Sequence, residues 1–442
     1  MSGVLSQTRG DEPAPAPSLP GQDLAGAAAR MSRRIEELRA LSEPGAGVTR
    51  LAYTPGERRA HELFAGWMRE LGLRTWTDAA GNTIAERPGT RCGWPALGTG
   101  SHLDSVPHGG AFDGIAGVVA AAEVARHLVQ AEVEHQHPLR FVAFAAEEGA
   151  RFGQACLGSR LAAGLSSAAE LRARRDAQGI SIAEAMRSVG LDPDRAVDAP
   201  WNPAEWAAFL ELHVEQGAVL QDADTSVGVV DLVSGSTRLL LEVDGRASHT
   251  GATPMAGRRD ALTAAAEVVL LAEGLATDAR HHGTRVTVGR LEVSPGSTTT
   301  IPGRVTMTVD VRDVDSDRQR STAAELLRGA RAVCDRRGTR LSATLIGDTS
   351  PVVLPAWLRS LVTDEARAQA VTYRVMTSGA SHDSQMVNHV VPAAILFVPS
   401  RDGLSHVPEE WTDPRELAVG VDVLCGALLL ADSRLADDRT SR

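Results

Sequence analysis

The chain has 442 residues, of which 43% are hydrophobic, 23% charged and 4% aromatic, with a formal net charge of -11 at pH 7. That length exceeds one ordinary core and favours two domains. The acidic balance argues against a nucleic-acid partner, and no stretch approaches the ~20 apolar residues of a membrane helix.

Residues 1 to 24, MSGVLSQTRGDEPAPAPSLPGQDL, contain no apolar h-region and read as a disordered Pro/Ala tail, not a signal peptide. Ala25 to Leu41 is patterned as a helix. Pro55 to Leu73 is a second, amphipathic one, with Leu63, Phe64, Trp67, Met68 and Leu71 at helical spacing. TWTDAAGNTIAER reads as two strands around a Gly-Asn turn, and WPALGTGSHLD as a short buried strand. Gly114 to Leu128 is a helix rich in Ala and Val. PLRFVAFAAEEG and EWAAFLELHVEQG are continuous apolar runs closed by polar residues, the pattern of buried strands in a helix-covered sheet.

The character then changes. A strand from Gly235, a helix from Arg258 to Leu275, two strands within Thr284 to Asp315, a helix from Ser321 to Arg337 and a last strand, TRLSATLIGD, follow in turn. Strand-helix-strand-strand-helix-strand is a ferredoxin-like order. Strand-and-helix alternation resumes afterwards, with AAILFVPSRDGLSH as another apolar strand with polar residues at its end. The expected architecture is an α/β domain, a mixed sheet flanked by helices, over residues 25–232 and 350–442, interrupted by an inserted α+β ferredoxin-like unit over 233–349. Cys92, Cys156, Cys334 and Cys425 are far apart without CxxC spacing and read as reduced thiols of a cytoplasmic protein.

In open α/β sheets, ligands sit beyond the carboxyl ends of strands. Here apolar strands run into His102, into Glu147 with Glu148, into His213 and into His406, and Asp113 is placed to cap the helix after the first. A single His at a strand end is usually a capping or surface residue, and paired glutamates are usually a solvated loop. Their coincidence is harder to dismiss, because paired acids beside a core need charge compensation. Such ligands suit zinc, manganese, cobalt or nickel. Two metals ~3.5–4 Å apart, bridged by a carboxylate and a water, would use five of these residues and leave one carboxylate as base.

GSHLDSVPHGGAFDG, AAEEGARFG, LHVEQGAVL, GRASHTGATPMAGRRDA, TVGRLEVSPGSTTTIPG and FVPSRDGLSHVPEE occur in this order. Together they resemble the amidase/hydantoinase/carbamoylase branch of the M20 metallopeptidases, over roughly residues 30 to 435. That branch includes N-carbamoyl-L-amino-acid hydrolases and allantoate amidohydrolases. The resemblance implies two divalent ions per subunit, one on His102 and His213, the other on Glu148 and His406, bridged by Asp113. It makes Glu147 the general base and Asp104 the acid that orients His102. It implies a homodimer in which the inserted unit is lid and dimerisation domain, His249 reaches the neighbouring site to stabilise the oxyanion, and Gln216 and Arg312 touch substrate, Arg312 through a carboxylate.

Two positions depart from the family pattern. Thr299 stands where an Asn is usual, and Ser381 where a Gly is usual. Both fall in the implied substrate pocket, not among the metal ligands, and so bear on which substrate is taken. The activity implied is hydrolysis of a linear C–N bond in a ureido or N-carbamoyl compound by a metal-bridged hydroxide. An amino-acylase or peptidase of the same superfamily is the rival enzyme. A non-catalytic binding protein is a remote third reading, against which stands the full ligand set.

Overall fold

The computed structural model describes residues 23–198 and 200–440. Most of the Pro/Ala stretch therefore lies outside the described residues. Its last two positions are not tail: Asp23 caps helix α1 (Leu24–Arg39) by accepting from the Gly26 N–H. Helix α2 (Pro55–Glu70) starts on a Thr54 cap with Pro55 in its first turn, where the missing N–H costs nothing.

Among the described residues the larger sheet has nine strands. They are β1 (Arg74–Thr77), β2 (Thr83–Arg87), β3 (Ala96–His102), β4 (Leu139–Phe144), β5 (Trp206–Val214) and β6 (Val227–Val233), then β13 (Val352–Val353), β14 (Tyr373–Ser378) and β15 (Ala393–Val398). The order β1-β2-β4-β3-β5-β15-β6-β13 puts β3, β4, β5 and β15 side by side at the centre. These four run parallel to one another. The antiparallel pairs β1/β2, β2/β4 and β15/β6 make the sheet mixed.

Every residue of β3 and of β15 is buried, which explains why these strands read as apolar runs without alternation. Helix α3 (Ile115–Gln130) follows β3 and is buried on nearly all sides. It shares one core with α1, α2 and the C-terminal helix Pro414–Thr440. Among the described residues no helix is long and apolar enough to cross a membrane.

Between β6 and β13 lie β7 (Gly235–Asp244), β8 (Ser248–His249), β9 (Arg285–Ser294), β10 (Thr300–Ile301), β11 (Arg304–Asp313) and β12 (Arg340–Thr349). The four long strands form a separate antiparallel sheet in the order β12-β7-β11-β9. Two helices, Ala261–Thr277 and Ser316–Arg337, close it with a core of their own. Both helices start on an Asp cap, Asp260 and Asp315. The second therefore begins five residues earlier than its apolar spacing suggests. β8 and β10 form a small two-stranded ribbon beside this unit.

Candidate metal centre

The parallel strands aim their carboxyl ends at one place. His102 is the last residue of β3, and His213 the last but one of β5. Glu147 and Glu148 are not on a strand: β4 ends at Phe144, and the acid pair stands on the loop that follows. His406 likewise lies well past the end of β15, beyond the tight turn Arg401–Gly403. Asp113 does not cap α3. Gly114 occupies the cap position at φ 68, without a side-chain hydrogen bond, and the Asp113 carboxylate turns to the histidines instead. A Cβ on Gly114 would lie 2.3 Å from the His102 ring, so only glycine lets the chain pass there.

Asp113 divides its two oxygens. Oδ1 faces His213 Nε2 at 3.2 Å and His102 Nε2 at 3.5 Å. Oδ2 faces His406 Nε2 at 3.1 Å, and that nitrogen also stands 3.3 Å from Glu148 Oε2. Two ligand triads result, His102/Asp113/His213 and Asp113/Glu148/His406, each with its donor atoms within 4.8 Å of one another. His213 Nδ1 is bonded to the Val214 carbonyl at 2.8 Å, and His102 Nδ1 lies 3.2 Å from the Asp104 carbonyl. Each ring is thereby fixed with Nε2 turned inward, the arrangement metal-binding imidazoles require.

The residues fit divalent ions by a separate sign as well. Glu148 Oε1 is buried without a hydrogen-bond partner among the described residues. A buried carboxylate oxygen left bare is costly unless a cation meets it. The all-nitrogen-and-oxygen donor set suits zinc, manganese, cobalt or nickel.

The charges are strongly coupled. Burial pushes the Asp113 carboxyl up, but the three imidazoles facing it outweigh burial and hold it well below the usual range. Burial depresses His406, but the facing Asp113 and Glu148 carboxylates raise it to about 9. Glu147 and Glu148 are both raised, first by burial.

Glu147 Oε2 faces His102 Nε2 at 3.9 Å, while its Oε1 accepts from the buried Cys156 thiol at 2.9 Å. Asp104 does more than the sequence suggests. Its Oδ1 lies 3.5 Å from His102 Nδ1 and also accepts the Glu147 N–H at 2.7 Å; its Oδ2 accepts the Glu148 N–H at 3.0 Å. Glu57, in the first turn of α2, accepts the Ala146 N–H at 2.8 Å.

Backbone strain collects here too: Ala146, Cys156, Gln216 and His406 all have φ between 58° and 61°. Non-glycine residues hold such angles only where the surroundings over-determine them, most often at functional sites.

Of the substrate residues expected from sequence, Gln216 reaches the centre. Its Nε2 donates to Asp113 Oδ2 at 2.6 Å, and its Oε1 is buried without a partner among the described residues. Arg312, on β11, spans the two units: Nε donates to Asp310 at 2.9 Å and Nη1 to the Gly379 carbonyl at 2.8 Å, two residues from Ser381. His249 ends β8, and Thr299 stands just before β10 opposite it; both are exposed. His249 Nδ1 accepts from the Gly251 and Ala252 N–H groups, and the Thr299 carbonyl accepts from the Thr250 N–H. Within one chain, neither is brought to the ligand cluster by these bonds.

Sequence reasoning missed Glu57, Cys156, Glu211, His382 and Glu410. Glu211 and His382 join His213 in a third close group, with His382 Nε2 2.8 Å from the Ser378 hydroxyl. Glu211 and Glu410 stand inside quoted stretches, but nothing in those stretches marks them as part of the centre. Glu57 had no such mark either, since an acid in the first turn of a helix is ordinary.

A mixed sheet whose parallel centre converges on metal-type side chains, interrupted by a compact α+β unit, is the architecture of a metal-dependent hydrolase. The chain belongs to peptidase family M20/M25/M40, whose family model matches residues 98–430. It is 40% identical over 397 residues to the N-carbamoyl-L-amino acid amidohydrolase of Geobacillus stearothermophilus, spanning 89% of this chain and 96% of that one. It is 34% identical over 395 residues to the allantoate amidohydrolase of Escherichia coli, spanning 88% and 93%. The crystal structure of AtUAH in complex with glyoxylate superposes with a TM-score of 0.88 at 32% identity, covering 93% of this chain and all of that one.

Proposed function

We propose that this chain is a metal-dependent hydrolase of carbon–nitrogen bonds other than peptide bonds, cleaving a linear ureido or N-carbamoyl compound that carries a nearby carboxylate. The observation that carries this reading is the Asp113 carboxylate, with one oxygen facing each triad. The relatives named for N-carbamoyl amino acids and allantoate supply the substrate class.

His102 and His213 would hold one divalent ion and Glu148 and His406 a second, with Asp113 serving both. When bound, such ions polarise a carbonyl oxygen and make water more acidic.

Glu147 is the proton carrier. Its Oε1 is occupied by Cys156, so Oε2 takes a proton from the attacking water. Water oxygen bonds to the carbonyl carbon, the C–N bond breaks, and Oε2 passes the proton to the leaving nitrogen. For a carbamoyl substrate this cleavage gives ammonia and a carbamate, and the carbamate then loses carbon dioxide to leave the free amine. Burial raises the Glu147 carboxyl, the direction a base working near neutral pH requires.

Arg312 receives the substrate carboxylate, for which its planar fork is suited. Gln216, Thr299 and Ser381 line the substrate site. Residues 25–232 and 350–442 form the catalytic domain, and 233–349 a lid through which two copies pair. In that homodimer His249 of the partner subunit stabilises the oxyanion. The exposure of His249 within one chain agrees with such a role. Among the described residues all four cysteines are free thiols, which fits a reducing, cytoplasmic setting.

The test is ammonia release by stripped protein reloaded separately with manganese, zinc, cobalt or nickel. The panel holds allantoate, ureidoglycolate, β-ureidopropionate and N-carbamoyl-L-amino acids, with N-acetyl amino acids and dipeptides as controls scored by free amine. Metal-dependent turnover of a ureido compound is expected. Turnover of the controls alone overturns the ureido assignment in favour of an acylase or peptidase.

A further inference from the structure

Glu410 stands four residues after His406 and reaches back across the centre; it is 4% exposed. Its Oε1 accepts the backbone N–H groups of Phe112 and Asp113, both at 2.9 Å. Its Oε2 accepts the Ser405 hydroxyl at 2.9 Å and the His406 N–H at 3.3 Å. The residues joined on its Oε1 side lie 297 and 298 positions away in sequence.

One side chain therefore fastens the loop of the bridging carboxylate to the loop of His406. Only a carboxylate accepts at both oxygens, so no neutral side chain of that length reproduces all four bonds. The packing is close: a Cβ on Gly110 would lie 2.3 Å from the Glu410 carboxyl carbon. The Ser405 oxygen also lies 3.0 Å from Asp113 Oδ2, so its one proton stands between the two carboxylates. His406 itself is held at φ 61, a conformation its neighbours must impose.

We propose that Glu410 is a positioning residue that sets the distance between Asp113 and His406, and thereby the affinity of the Asp113/Glu148/His406 site for its ion. It acts through the backbone of the two ligand loops. The His102/Asp113/His213 site keeps its two histidines on strands β3 and β5, which Glu410 does not touch. The proposal rests on the metal reading given above.

The experiment is metal titration of the stripped full-length chain by calorimetry, with bound metal counted by elemental analysis. Wild type, Glu410→Gln, Glu410→Ala and Gly110→Ala are compared using Mn²⁺ and Zn²⁺, and each stripped variant is also melted. Wild type is expected to take two ions. The Gln variant keeps one acceptor oxygen and should bind the second ion about 10–100-fold more weakly, while the first, which keeps His102 and His213 but shares Asp113, weakens much less. The Ala variant should lose more of the second ion, and Gly110→Ala, which pushes the carboxylate aside, should follow the same direction. Unchanged second-ion affinity in the folded Gln and Gly110 variants overturns the proposal. So does an equal weakening of both ions with a lowered melting point, which makes Glu410 a residue of the fold alone. Wild type binding no ion overturns the metal reading itself, and this inference with it.

Discussion

Asp104 holds Glu147 by its backbone: the Asp104 Oδ1 accepts the Glu147 N–H at 2.7 Å, and the adjacent Oδ2 accepts the Glu148 N–H at 3.0 Å. With Glu57 on the Ala146 N–H, three consecutive amides of the acid-pair loop end on buried carboxylates. The loop that carries Glu147 and Glu148 is thus pinned through its backbone by two buried acidic side chains, Asp104 and Glu57. Asp104→Ala leaves two buried N–H groups bare, each costing about 1–3 kcal/mol. We expect a clear drop in the melting temperature of the stripped protein and at least a tenfold fall in kcat. Asp104→Asn, with one acceptor oxygen, should fall between. A normal melting curve with normal turnover for the Ala variant would show that the loop holds its shape without Asp104.

Glu147→Gln keeps the volume of the side chain and removes its capacity to carry a proton. In the proposed site the ligand is its neighbour Glu148, so metal content should stay at the wild-type level. A positioned acid–base group contributes about 10²–10⁴ in rate, and kcat should fall by that order. Elemental analysis and single-substrate kinetics on the same preparation settle it. Loss of metal together with activity would instead make Glu147 a ligand.

The sequence disclosed the centre wherever the chemistry is local to a short run. His102 and His213 end buried strands, and a buried strand is an apolar run whatever the fold. Asp113 and Glu148 could be found because their residue type is unusual beside such runs. What sequence did not disclose is long-range bonding. Nothing near Glu57 or Glu410 says that each will accept backbone N–H groups from a distant segment, because a carboxylate's partners are set by tertiary approach. The same holds for the helices between Leu157 and Asp198: they are six or seven residues each, too short for an apolar period to stand out. His249 and Thr299 show the limit from the other side. Their motifs are plain in the sequence, but one chain leaves both side by side and exposed.

Glu57 gives the stripped protein a pH signature. Burial first, then repulsion from Asp104, raises its carboxyl from the ordinary 4.5 to about 8. Between those values the folded chain holds a proton that the unfolded chain has released. The stabilisation from that proton is complete below the lower value and is lost as pH rises through the upper one. Glu57→Gln does not titrate. Denaturant midpoints of wild type and variant, measured at pH 5, 6, 7 and 8 without metal, should therefore move in the variant's favour as pH rises. Other titrating groups are common to both chains and drop out of the difference. A difference that stays constant across the four values removes the raised carboxyl.

Arg312 separates substrate recognition from chemistry. Its guanidinium stands on β11, bonded to Asp310 and to the Gly379 carbonyl, at the junction of the inserted unit with the Ser378–Ser381 segment. If it receives the substrate carboxylate, Arg312→Ala removes hydrogen bonds to a charged group, each about 1.5–3 kcal/mol. That corresponds to a KM higher by about 10- to 150-fold for carboxylate-bearing substrates. Because the carboxylate takes no part in the bonds made and broken, kcat should change much less. Arg312→Lys keeps the charge but not the fork, so it should recover only part of the loss. An amide-capped analogue of the same substrate serves as the control, since it offers no carboxylate to hold. Equal KM penalties for the acid and the amide would place Arg312 in the joint between the two units and not on the substrate.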